Sequence, residues 1–339
     1  MYRHFEESSF FNQWQRAYLA KKEAGEHIYR LSQTIKLSKE RHWTTSVISL
    51  DVEKAFDSVW HDGLRYKLTS IGLPVKLVRL LSSFLSDRTI SVRAGNVLSK
   101  PVRLQAGTPQ GSVLSPLLYL IYVNDVPINP ANKCDGGQFA DDISLWTLAK
   151  STKVTRLRLQ KALRDVELWC STWRIKLNVA KTQLVRFPKR KEKLELKLFG
   201  QTISEKDELT FLGVIFDQKL SFGSHCKLKA KEAARRVGLL RRVSGQGWGA
   251  GKRVLLNLYK QYVRPVLEYG NAGIADAAKS HLALLQRMQN SALGTSLRVP
   301  RRTRIKKLHK LARMDPVPRR LRRTVASKVA PSHASAQAL

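Results

Sequence analysis

A chain of 339 residues is long enough for two or three subdomains and a substantial core, which excludes a disordered tail as its description. Its 61 Lys and Arg against 26 Asp and Glu leave a formal net charge of +35. An excess of that size points to a polyanionic partner, because basic surface gains affinity by displacing counterions from phosphates.

In chain order, a helix is expected over Gly25 to Thr34 and its flanks, then a strand at Val47-Ile48-Ser49-Leu50. That run is β-branched and apolar, reads as buried, and delivers Asp51 at its end. Helices follow around Leu64 to Ile71 and Val75 to Leu85, punctuated by Gly72 and Pro74. Thr89 to Ala94 and Val97 to Leu104 read as two strands across a Gly95-Asn96 turn, and Ser115 to Val126 as a buried helix. Gln138-Phe139-Ala140 leads into Asp141-Asp142, and Ile143 to Thr147 alternates apolar with polar, so these aspartates are expected at a hairpin tip. A long amphipathic helix from Lys153 to about Lys176 comes next, then strands at Gln183 to Phe187, Leu194 to Phe199 and Leu209 to Phe216. Together these give an α+β fold, an antiparallel sheet with helices on one face. After Ser221 the reading is almost entirely helical, with Gly245 to Gly251 as the clearest loop, and the Ala- and Ser-rich stretch from about Ala330 is expected to be disordered.

From Lys219 onward 27 Lys and Arg face four acids, whereas the first 218 residues hold 34 and 22, so most of the excess charge sits in the helical part. A membrane surface is the rival partner. It is weaker because the basic residues are interspersed with Trp248, Tyr259 and Tyr262, and no lipid-anchor motif is present. The most apolar stretch, Leu114 to Val123, is interrupted by Ser115 and Pro116 and is too short to span a bilayer, so a soluble protein with no membrane partner is expected. Cys134, Cys170 and Cys226 lack metal-ligand or disulfide-like spacing, which fits a reducing compartment.

Asp51 and the pair Asp141-Asp142 stand in similar strand-to-turn contexts. Grouping three carboxylates is costly unless a cation offsets their charge, and magnesium is a hard ion suited to carboxylate and phosphate oxygens. Alone, Asp-Asp in a hairpin is ordinary turn chemistry, and Asp51 reads equally as a helix-capping residue. The surroundings decide between these. After Asp51 comes Val52-Glu53-Lys54-Ala55-Phe56-Asp57, and between the acidic sites lies Ala106-Gly107-Thr108-Pro109-Gln110-Gly111-Ser112-Val113-Leu114-Ser115-Pro116. In content, order and spacing these segments resemble motifs A and B of the reverse transcriptases of non-LTR, jockey-like retrotransposons, with Phe139 to Asp142 as motif C. Leu168 to Asn178 with Lys181-Thr182 resembles motif D, and Phe211-Leu212-Gly213-Val214 the primer-grip hairpin, motif E. Arg264 to Gly270 and Leu285 to Asn290 resemble the region that follows the core, so the likeness runs from about Gln15 to about Arg313.

The resemblance implies a right-hand polymerase that extends a DNA primer on an RNA template with deoxynucleotides (dNTP), using two magnesium ions, or manganese. It implies that Asp51 and Asp141 bridge the ions with Asp142 nearby, joined by the backbone carbonyl of Val52. Phe56 is then a steric gate under the nucleotide sugar, and Gln110 and Gly111 begin the helix lying against the nascent base pair. Lys181 matches a lysine that protonates leaving pyrophosphate, and reads equally as a solvated turn residue. Asp57 reads as the cap of the following helix and Lys54 as its charge partner, so neither joins the catalytic set. The implied division is residual fingers at 1–45, a palm carrying motifs A to E at 46–220, a basic helical thumb at 221–329 and a tail at 330–339. The stretch before Asp51 is shorter than the family's fingers, with only Arg16 to Gln33 matching, and no endonuclease domain is seen. The expectation is therefore an N-terminally truncated element, and its alternative is a catalytically silent nucleic-acid-binding remnant. A group II intron polymerase is a third, related reading. The family's way of integrating implies nuclear and cytoplasmic residence, while no import signal stands out from the general basicity.

Overall fold

A computed structural model describes Phe5 and residues 10–128, 133–245, 248–300 and 302–329. The expected disordered tail lies outside the described residues, as do Gln246 and Gly247 of the glycine-rich loop. By its contacts the chain forms two compact units, one of Met1–Ala24 with Thr34–Lys206 and one of Gly25–Gln33 with Asp207–Leu339.

Helix α1 (Ala24–Glu40) contributes its beginning to the second unit and its end to the first. In the first unit, β1 (Thr44–Asp51) is followed by α2 (His61–Ser70) and α3 (Val75–Leu85). The expected hairpin at 89–104 breaks into two short pairs, β2 (Thr89–Ile90) with β5 (Val102–Arg103) and β3 (Arg93–Ala94) with β4 (Val97–Leu98). Helix α4 (Leu114–Tyr122), β6 (Cys134–Phe139), β7 (Asp142–Ala149), α5 (Thr152–Trp173) and β8 (Gln183–Phe187) come next. A small β9 (Lys197–Leu198) and β10 (Gln201–Thr202) pair closes the unit.

The central sheet has the order β6-β7-β1-β8 and is antiparallel throughout. Every residue of β1 from Thr44 to Ile48 is buried, which is why its sequence does not alternate. Residues Leu117 to Tyr122 of α4 are likewise buried all round. Lys67 Nζ ties this layer together, donating to Asp125 Oδ1 at 2.6 Å and lying 3.6 Å from the Trp173 ring centroid. Burial pulls its pKa down to about 8 against the opposing pull of Asp125.

Two local expectations are corrected. Asp57 does not cap α2; that position is Trp60, which makes no side-chain cap. Gln110 and Gly111 do not begin α4 either. They form a turn ahead of it, Gly111 at φ 86, and Ser112 Oγ accepts from the Ser115 amide at 3.1 Å as the helix starts.

The second unit carries a hairpin, β11 (Glu208–Phe211) and β12 (Val214–Asp217), which agrees with the hairpin that the motif resemblance implied at Phe211 to Val214 and divides the single strand read from the residues at Leu209 to Phe216. Leu212 and Gly213 lie at φ 46 and 72, and two consecutive left-handed residues reverse the chain in a two-residue turn. Helices α6 (Gly223–Arg242), α7 (Lys252–Leu258), a π-helical turn at Tyr259–Val263, α8 (Arg264–Leu267) and α9 (Asn271–Ile274) follow. They end with α10 (Lys279–Leu297), α11 (Ile305–Ala312) and α12 (Val317–Val329). Within this bundle Gln289 is buried and donates to the Tyr259 hydroxyl at 3.1 Å, while burial pushes that phenol up to about 12. His225, also buried, bridges the Ile215 amide and the Tyr269 carbonyl, so it joins the hairpin to the helices. Among the described residues no helix is long and apolar enough to cross a membrane.

Candidate active site

Cross-strand register builds the site. Asp51, the last residue of β1, pairs with Asp142, the first of β7, and Asp142 also pairs with Phe139 of β6. Ala140 and Asp141 are the two-residue turn between β6 and β7. The three predicted aspartates therefore share one end of the sheet.

Their mutual repulsion is visible at Asp142, whose pKa is raised by burial first, then by Asp141 and Asp51. Asp142 nevertheless keeps an exposed face, which leaves its carboxylate open to solvent or a cation. Near the aspartates lies Tyr119 of α4, whose buried hydroxyl has no hydrogen-bond partner among the described residues. Burial and then the nearby Asp141 push that phenol's pKa up. Among the described residues no three His, Cys, Asp or Glu side chains are already gathered closely enough to hold a metal ion. The donor set still suits a hard divalent cation, being all carboxylate oxygen with like charges close enough to disturb one another.

Beyond Asp51 the chain pairs with the predicted motif D segment. The Asp51 carbonyl accepts from the Asn178 amide and the Glu53 amide donates to the Lys176 carbonyl, both at 2.8 Å, with Val52 opposite Leu177. Strand alternation then turns the Val52 carbonyl to the other edge, the side on which β7 and the Asp141 turn lie. Lys181 Nζ is 3.8 Å from Asp51 Oδ2, with both side chains well exposed, so the pair is loose and adds little to stability.

Phe56 is half-buried, its ring 4.8 Å from that of Tyr119. The turn that carries it is laced to the glycine loop of predicted motif B. Phe56 and Val59 carbonyls accept from the Thr108 and Gly107 amides at 2.8 and 2.9 Å. His61 Nε2 and Arg88 reach the Gly107 carbonyl at 2.8 and 2.9 Å. Gly107, at φ 89, approaches so closely that a Cβ there would meet the Asp57 backbone at 2.8 Å. Gln110 is exposed and donates to Asp57 Oδ1 at 2.9 Å, so Asp57 holds the motif B turn instead of capping a helix.

Sequence reasoning missed several contributors. His61 and Arg88 gave no signal because their shared partner is a backbone carbonyl. Gln15, 1 % exposed, accepts from the Ala140 amide across 125 positions, a pairing that no local pattern encodes. Tyr119 was hidden in an apolar helix.

The second unit contributes a basic cleft of about 570 Å³ between the π-helical turn, α11 and α12. Glu268 holds Arg264 and Arg320, and Asp315 holds Arg319 and Arg323, while Lys260, Lys310 and Arg313 at the same cleft pair with no carboxylate among the described residues.

A family model described as reverse transcriptase (RNA-dependent DNA polymerase) matches residues 5–216. The chain is 30% identical over 294 residues to the Probable RNA-directed DNA polymerase from transposon BS of Drosophila melanogaster, covering 84% of this chain and 32% of that protein. It is 32% identical over 257 residues to the RNA-directed DNA polymerase from mobile element jockey of the same organism, covering 72% and 27%. The chain thus spans about a third of the length of the curated relatives it matches. Apo telomerase from Candida Tropicalis is similar with a TM-score of 0.46 at 11% identity, over 91% of this chain and 50% of that one. The motifs around Asp51, Gly107 and Asp141 thus sit within a region that the family model covers, and the chain belongs to the reverse transcriptase (RNA-dependent DNA polymerase) family, with non-LTR retrotransposon enzymes of Drosophila among its relatives.

Proposed function

We propose that this chain is the polymerase core of a non-LTR element enzyme, extending a DNA primer on an RNA template with deoxynucleotides. The observation that carries this reading is the register placing Asp51 opposite Asp142 with Asp141 in the adjoining turn. Asp51 and Asp141, with the Val52 carbonyl and Asp142 beside them, would hold the divalent ions. Two such ions, magnesium or manganese, stabilise charge on the attacking and leaving oxygens of an in-line displacement. The primer 3′-hydroxyl gives up its proton to solvent as its oxygen bonds to the α-phosphorus, the bond from that phosphorus to the oxygen bridging to the β-phosphate breaks, and pyrophosphate leaves.

The remaining roles belong to the chain itself. Phe56, stiffened by the Thr108 and Tyr119 contacts, presents an aromatic face that would exclude a 2′-hydroxyl. The exposed turn at Gln110 and Gly111 offers its backbone to the incoming nucleotide, with Gln110 steadied by Asp57. Lys181 is free enough to swing from Asp51 and give a proton to pyrophosphate. We assign the palm and residual fingers mainly to the first unit, and the primer-grip hairpin and thumb to the second, whose cations Lys260, Lys310 and Arg313, held by no carboxylate among the described residues, would grip phosphates.

Primer extension by the chain on an RNA template with a DNA primer, beside Asp141→Asn and a filter-binding assay, tests the reading. Extension lost in the variant while binding persists supports a polymerase. Salt-sensitive binding without extension in the native chain would reduce it to a silent nucleic-acid-binding protein.

A further inference from the structure

The turn that carries Asp141 leans on the segment near the start of the chain. Ala140 sits at φ 55, a left-handed conformation that is strained for any residue with a Cβ. At the outer edge of β6, Gln15 runs parallel to Gln138. The Gln138 amide donates to the Trp14 carbonyl and the Arg16 amide to the Gln138 carbonyl, both at 3.0 Å. The Gln15 side chain then reaches the hairpin tip, where Oε1 accepts from the Ala140 amide at 3.1 Å and from its own neighbour, the Ala17 amide, at 2.8 Å. The segment is itself anchored, since Asn124 Oδ1 accepts from the Asn12 amide at 2.7 Å and Asn124 Nδ2 donates to the Phe10 carbonyl at 3.0 Å. Among the described residues Gln15 Nε2 is buried with no hydrogen-bond partner.

We propose that Gln15 is a positioning residue for the carboxylate corner, pinning the Ala140-Asp141 turn and through it the direction of the Asp141 and Asp142 side chains. The role in catalysis rests on the polymerase reading; the pinning itself does not.

The test uses the full chain and three variants. Gln15→Met keeps the volume and removes the acceptor. Gln15→Met with Ala140→Gly relieves the left-handed residue, since glycine adopts that backbone freely. Gln15→Asn, one methylene too short to reach Ala140, substitutes if the methionine does not fold. Single-nucleotide extension should show kcat reduced about 10- to 100-fold, with KM for the nucleotide and duplex affinity within about two-fold of native, because misplacement acts on the reacting geometry. The Ala140 amide should exchange with solvent faster while Ile48 and Leu145 stay protected, and the double variant should recover most of the lost kcat. A merely structural role would spread the loss over binding and core exchange and would not be rescued at position 140. An unchanged kcat in Gln15→Met, or unchanged exchange at Ala140, overturns the proposal. If the native chain itself fails to extend a primer, the polymerase reading falls, and the Ala140 exchange rate alone still decides whether Gln15 holds the turn.

Discussion

The sheet end of the first unit and the basic cleft of the second are built on opposite principles. At the sheet end three like charges are held together by strand register, with Asp51 opposite Asp142, each defined by backbone pairing. In the cleft, cations hang from helix surfaces, some steadied by Glu268 or Asp315 and some by no carboxylate among the described residues. A register-held site concentrates its function in a few atoms, so one substitution should abolish it. A charge-held surface spreads its function, so each substitution should cost little and the costs should add.

The contrast can be broken most sharply at the acidic corner. Asp141→Asn or Asp51→Asn should reduce extension by about 1,000-fold, since several kcal/mol of transition-state charge stabilisation is lost, while duplex binding is unchanged or slightly tighter. Equal losses in both quantities would show that the corner serves binding instead. Next in size, Phe56→Val should raise the relative kcat/KM for ribonucleotides by about 10- to 100-fold, as a steric exclusion is relaxed. No change in sugar discrimination would return Phe56 to an ordinary packing role beside Tyr119. In the cleft, the triple variant Lys260→Gln, Lys310→Gln and Arg313→Gln should lower the slope of log affinity against log salt by about three, with extension at low salt nearly native. A slope unchanged by all three removes the cleft from nucleic-acid binding.

The smallest effect is thermodynamic. Because the folded-state pKa of Asp142 is raised, its ionised form opposes folding; the penalty is present above that folded value and disappears below the unfolded one, near 3.8. Asp142→Asn should therefore raise the metal-free melting temperature on the order of 1–2 °C at neutral pH and not at all in acid near pH 3. Thermal melts at the two pH values decide it. A lowered melting temperature at neutral pH would mean that a favourable contact of the carboxylate outweighs the repulsion.

Much of this arrangement was legible in the sequence wherever local pattern and tertiary role agree. Val75 to Leu85 and Gln183 to Phe187 have the bounds read from periodicity, because apolar spacing there is also what the core buries. The three aspartates were found through motif order, and the structure brings them to one sheet end. Legibility failed where the deciding partner is distant or is backbone. Asp57 has the residue type of a cap, yet Gln110 competes for it across 53 positions. Leu212-Gly213 was legible as a turn only through the motif resemblance, because the apolar Leu212 reads locally as strand although its backbone is left-handed. Gln15 stands where the resemblance begins, yet nothing in its residue type points to its partner, which lies 125 positions away.

The outer strands of the central sheet have a further property. β6, rich in glycine at Gly136 and Gly137, is bounded by Gln15 beside Gln138, and β8 is bounded by Glu205 beside Leu184, each a one-residue parallel bridge. Open strand edges are templates for intermolecular pairing, and one short peptide on each side is enough to blunt them. Detachment of the Trp14 to Arg16 segment would leave a flat, glycine-containing edge bare at micromolar concentrations, so self-association and loss of soluble protein should accompany any change that loosens it.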